Sequence, residues 1–158
     1  MTIFRNFGTK NNLFIKVMEI YVFIPNLENL FNNGFSWILE EDLPKIFKAF
    51  YDSIKQNHML VFIKLTKPDP SMLEKDHEIT KIMEKLPKEI RDWAKKYFTQ
   101  MKERDLIKGD PLLISTNFCS GIFGLFFSYE IGKIYADIEF DCLSKNFLEI
   151  YINGIEQG

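Results

Sequence analysis

Lys133-Ile-Tyr-Ala-Asp-Ile-Glu-Phe-Asp-Cys-Leu143 is the stretch on which the fold turns. Its even positions, Ile134, Ala136, Ile138, Phe140 and Cys142, are apolar or small. Its odd positions carry Lys133, Tyr135, Asp137, Glu139 and Asp141. Alternation with a period of two over a full strand length predicts a strand with one buried and one wet face. Phe147–Asn153 repeats the pattern, with Leu148, Ile150 and Ile152 alternating with Glu149, Tyr151 and Asn153. Leu143-Ser-Lys-Asn146, between the two, has the length of a hairpin connection.

Working outward, Leu112–Phe118 and Ile122–Ile131 are apolar, rich in Ile, Leu and Phe, and bounded by Gly, Ser or Asn turns. Together the four segments predict an antiparallel meander. The preceding half has helical periodicity. Asp42 can cap a helix with Pro44 in its first turn, and Ile46, Phe47, Phe50, Tyr51 and Ile54 share one face. Ser71 and Glu74 form a capping box for a helix running to about Lys85. After a break at Leu86-Pro87, a third helix carries Ile90, Trp93, Ala94, Tyr97, Phe98 and Met101 at i, i+3, i+4 spacing to about Arg104. Strands are predicted over Leu13–Ile24 and Leu60–Leu65, and a short helical turn before Gly34. The order β-α-β-α-α followed by the meander makes an α+β, two-layer single domain over residues 13–158, with residues 1–12 as a flexible N-terminal arm. Met18 is a second possible start, so the first 17 residues need not belong to the native chain.

Composition bounds the function classes. The chain has 158 residues, 46% hydrophobic and 27% charged, which is globular. Sixteen phenylalanines predict an aromatic core, with any surplus available as interface. A net charge of −2 argues against nucleic acid as a partner. That charge is unevenly placed: residues 109–158 carry two Lys against seven Asp/Glu, while residues 75–108 carry ten Lys/Arg against seven. The acidic end favours a basic partner. Cys119 and Cys142 make neither a disulfide framework nor metal spacing. The apolar run after Lys10 is broken by Lys16 and Glu19 and lacks a cleavage site, and no apolar segment reads as long enough to span a bilayer. These features predict a cytoplasmic protein without a membrane partner; the oligomeric state stays open.

Asp137, Glu139 and Asp141 would stand about 7 Å apart on one strand face. Such a row could serve a metal-dependent hydrolase, but it is too spread to converge on one ion without help, and no cofactor or metal is expected. Cys119-Ser-Gly121 lacks the flanks of a nucleophile turn. Lys88, Arg91, Lys95 and Lys102 line one side of a helix, interleaved with Glu84, Glu89 and Asp92 as on an ordinary charged surface. No P-loop, dinucleotide glycine fingerprint or zinc motif is present. What remains is a docking face of Tyr135, Asp137, Glu139, Asp141, Glu149 and Tyr151, in which aromatic anchors sit beside steering carboxylates. A regulatory module holding a small ligand in the Phe-rich interior is a further alternative, without an anchoring polar group.

Tyr135-Ala-Asp-Ile-Glu-Phe-Asp141 and Phe147-Leu-Glu-Ile-Tyr-Ile152, on a small α+β chain without catalytic motifs, resemble bacterial immunity proteins that neutralise polymorphic or contact-dependent-inhibition toxins. The resemblance lies in composition and architecture, not in a defining motif. It implies a non-enzymatic inhibitor that binds a basic toxin domain, often a nuclease, in a stoichiometric complex.

Overall fold

The computed structural model describes residues 28–56 and 77–156, together with Gly8, Leu13 and Lys16. These residues are 78% helical and contain no strand or sheet. Among residues 28–56 and 77–156 the α-helices are, in order, α1 (Glu28–Asn33), α2 (Leu39–Gln56), α3 (His77–Glu103), α4 (Pro111–Phe126) and α5 (Phe140–Ile155). Only an isolated antiparallel bridge between Ile107 and Glu156 has extended pairing among the described residues. The α+β expectation with its four-stranded meander is therefore corrected to a helical fold. The strand expected over Leu60–Leu65 and the capping box at Ser71 and Glu74 lie outside the described residues. Of the strand expected over Leu13–Ile24, only Leu13 and Lys16 are described, and both are helical.

The helices that replace the expected strands after Lys108 have legible reasons. Asp110 caps α4, its carboxylate accepting from the Leu112 N–H at 2.8 Å, and Pro111 opens the helix where its missing N–H costs nothing. The buried side chains Ile114, Phe118, Ile122 and Phe126 then recur every four residues, which is one helical stripe. On α5, Leu148, Ile152 and Ile155 are buried with Phe147 and Tyr151 half-buried beside them, again at i, i+4 and i, i+3 spacing. A period-two reading uses some of the same residues, but it strands Ile150, which is 66% exposed. Cys142, expected in the core, is exposed.

The helices legible in the sequence stand closest to expectation. The predicted faces of α2 and α3 are buried, with Ile54, Tyr97 and Phe98 wholly inaccessible to solvent. Burial of a large apolar side chain contributes about 1.5–3 kcal/mol, so these two faces are substantial sources of stability. The break expected at Leu86-Pro87 does not occur, and α3 runs through Pro87 without interruption. Packing of α4 against α3 is the most extensive helix pairing; α4 also touches α2, and α2 touches α5. The seam is aromatic: Phe118 lies 5.8 Å from Phe98 and 5.0 Å from Tyr151, and Phe47 lies 5.9 Å from Phe147.

Asp42 organises the corner before α2. Its buried carboxylate accepts from the Ser36 and Trp37 backbone N–H groups at 3.0 and 2.9 Å, from Ser36 Oγ at 3.1 Å, and from Tyr97 Oη at 3.1 Å. These bonds hold Trp37 at φ 61°, a left-handed conformation that an aromatic residue otherwise avoids. Trp37 in turn stacks on Tyr97 and carries the Arg104 guanidinium 4.1 Å above its ring. Asp42 thus acts as a buried acceptor rather than the expected cap.

Pro111–Ile131 forms a helical run of 21 residues that is long and apolar enough to cross a membrane by length and composition alone, with about a third of it buried inside the fold. The expectation that no such segment exists is corrected accordingly.

Candidate docking connection between α4 and α5

Beyond Phe126 the helix widens into a π turn, Phe127–Ile131, closed by the Gly132 N–H donating to the Phe127 carbonyl at 2.8 Å. Such insertions re-aim side chains and are frequent at functional sites. Here the turn directs Glu130 inward against α2. Tyr51 Oη donates to Glu130 Oε1 at 2.9 Å, while Lys55 Nζ and Lys133 Nζ approach its two oxygens at 3.4 and 3.9 Å. Burial, and then the hydrogen bond and charge of Glu130, push the Tyr51 phenol well above its ordinary value, so it stays protonated and donating. Lys133 leaves the turn at φ 51°.

The connection is also anchored at its far end. Phe140, the first residue of α5, packs 4.5 Å from the Tyr51 ring and 5.1 Å from Tyr129. Between these two attachments every residue from Gly132 to Glu139 is exposed. Ile134 is 65% exposed, Tyr135 42% and Ile138 39%. Scattered apolar residues on a surface need no explanation, but three within five positions, on a segment fixed at both ends, form a local apolar patch. Asp137, Glu139 and Asp141 stand among and just after them, also exposed.

Of the six residues expected to form a docking face, the structure holds four adjacent along the chain and sets two apart on α5. Tyr135, Asp137 and Glu139 lie on the connection, and Asp141 in the first turn of α5, where its charge also complements the helix N-terminus. Glu149 is exposed two turns further along α5. Tyr151 is no surface anchor: it packs against Phe118, and its hydroxyl donates to the Ile114 carbonyl. The flat strand face on which all six would have aligned is absent. Glu130, Tyr51 and Lys55 were not foreseen, and no local signal marks them, because the partners are 79 and 75 residues apart in sequence.

The residues of the other chemical candidates are placed as follows. Among the described residues no group of three or more His, Cys, Asp or Glu is placed to hold a metal ion. The Cys119 thiol is buried in α4, and desolvation pushes it up to about 12, far from a nucleophilic thiolate at neutral pH. Lys88 pairs with Glu84 at 2.5 Å and Arg91 with Asp92 at 2.9 Å, which breaks up the basic stripe of α3. An apolar pocket between α1, α2 and α3 has a volume of about 10 Å³, too small for a ligand. His58 lies outside the described residues, and His77 opens α3.

Comparison of the chain with protein-family models, with characterised proteins and with solved structures finds no match.

Proposed function

We propose that the protein is a non-enzymatic binding protein whose α4–α5 connection docks a basic protein partner, in the manner of a toxin-neutralising immunity protein. One observation carries this reading: Ile134, Tyr135 and Ile138 are exposed beside Asp137, Glu139 and Asp141, on a segment clamped by Glu130 at one end and Phe140 at the other. Apolar side chains supply contact area, and surrounding carboxylates steer a cationic partner and fix its register. Clamping lowers the entropy that binding must overcome. Two free thiols suit a reducing compartment, so the proposed site of action is the cytoplasm.

The test uses paired baits, the wild-type chain and the charge reversal D137K/E139K, in affinity capture from the native cell. The captured protein is then purified and its association rate measured against salt. The reversal is expected to slow association by about tenfold or more at low salt, with the difference shrinking as salt screens it. Adding D141K extends the test, at a cost of up to about 1 kcal/mol of helix stability that circular dichroism will register. An unchanged association rate with D137K/E139K would remove the connection from the interface.

A further inference from the structure

We propose that the cleft between the start of α2 and the second half of α5 belongs to the same docking surface and receives the apolar edge of a short basic helix from the partner. This inference rests on the partner chemistry assigned above. The cleft has a volume of about 270 Å³ and opens to solvent. The buried Leu148 and Ile152 and the exposed Pro44 supply its apolar lining, and Glu40, Glu149, Asn153 and Lys145 its polar lining. Lys145, Leu148, Glu149 and Ile152 form one stripe of α5 at i, i+3, i+4, i+7 spacing. Asp141 belongs to the same stripe, one turn before Lys145, so the stripe leads from the connection directly into the cleft.

The dimensions and charge select the occupant. From Asp141 to Ile152 the stripe rises about 17 Å, the length of a three-turn helix. Its exposed charges are Asp141 and Glu149, joined by Glu40 from the first turn of α2, against the single Lys145. This is the same sign as the connection, so one cationic element satisfies both. A seam between two packed helices, with an apolar and a charged lining, is the form that accepts an amphipathic helix whose apolar side chains repeat at i, i+3 or i+4. The volume admits one or two aliphatic side chains, and the carboxylates meet Lys or Arg on the flanks of the same helix.

A fluorescently labelled synthetic helix of Leu and Lys, four turns long with Leu on one face, is the probe; the same peptide with Glu replacing Lys is its counterpart. Anisotropy titrations use the full chain. The Lys peptide is expected to bind and the Glu peptide not to. Asn153→Trp fills the cleft from its exposed rim and is expected to weaken binding by about tenfold, and Asn153→Ala to leave it unchanged. E40K/E149K is expected to weaken binding in a salt-dependent way. Equal binding of both peptides, or full binding to N153W, overturns the cleft as a docking site. Loss with D137K/E139K alone overturns the cleft but leaves the connection standing. Loss with N153W alone leaves the cleft as a separate site and overturns its sharing one docking surface with the connection.

Discussion

Gly121 and Gly124 sit three residues apart on α4, and alanine at each is expected to change stability in opposite directions. A Cβ built on Gly121 would stand 2.5 Å from Cε2 and 2.7 Å from Cζ of Phe147, whereas one on Gly124 meets nothing within 4 Å. Optimal carbon contacts lie at about 3.5–4.0 Å, so the Phe147 ring would have to move. It has little room, with Phe118 and Phe47 at 5.9 Å and Tyr151 at 5.8 Å between ring centroids. Overpacking of this kind costs about 1–3 kcal/mol, against roughly 1 kcal/mol gained by replacing a mid-helix glycine. G121A is therefore expected to lose up to about 2 kcal/mol, and G124A to gain about 0.5–1 kcal/mol. Urea denaturation followed by helical circular dichroism measures both, and the pair shares one denatured-state correction, so their difference is the firmer quantity. G121A as stable as G124A would refute the close approach of α4 and α5, and with it the placement of α5 in the fold.

Removal of the Asp42 carboxylate in D42A strands the Tyr97 hydroxyl and two backbone N–H groups, and is expected to cost about 3–5 kcal/mol, whereas Y97F leaves the other donors served and should cost nearer to 1 kcal/mol. A chemical-denaturation loss below about 1 kcal/mol for D42A would contradict the corner built around that residue. Thiol titration at mild alkalinity should modify one cysteine in the native protein and two after denaturation, because Cys142 is exposed and Cys119 buried; two fast native thiols would place α4 wrongly. Burial holds the Cys119 thiol up at about 12 from its ordinary value of 9.0, and raises the phenols of Tyr51, Tyr97 and Tyr151 as well. For a raised acid the folded state keeps its proton longer than the unfolded chain, so the stabilisation is complete below 9.0 and is lost as pH climbs from there toward 12. Thermal melts should accordingly fall steeply across that window, with tyrosinate absorbance appearing at the unfolding transition; a melting temperature flat above pH 9 would contradict the burial.

The faces of α2 and α3 were legible because their apolar residues fit a 3.6-residue period and no other. Ile46, Phe47, Phe50, Tyr51 and Ile54 cannot lie on one side of a strand, and the same holds for Ile90, Ala94, Tyr97, Phe98 and Met101. Leu112–Phe126 was ambiguous, being apolar on nearly every phase, although Asp110-Pro111 was a readable helix start that the strand reading passed over. In Lys133–Leu143 the period-two alternation is present and misleads. Among the described residues no strand pairs with it, and the segment divides at Phe140 into an exposed connection and the first turn of α5. The docking residues suffered the same division: Tyr135 through Asp141 remain together because they adjoin in sequence, whereas Tyr151 turned inward once its face was set by a helical period.

By itself, then, the sequence determined two amphipathic helices, an acidic C-terminal third and a chain without a recognisable catalytic motif, since composition and local periodicity are properties of neighbours along the chain. Only the tertiary structure decided that α4 and α5 are helices packed through Gly121 and Phe147. It likewise decided that Asp42 serves Tyr97 from 55 residues away, and that Glu130 reaches back to Tyr51 and Lys55. Those contacts join residues that no local pattern links, and they leave Ile134, Tyr135 and Ile138 facing solvent instead of a sheet.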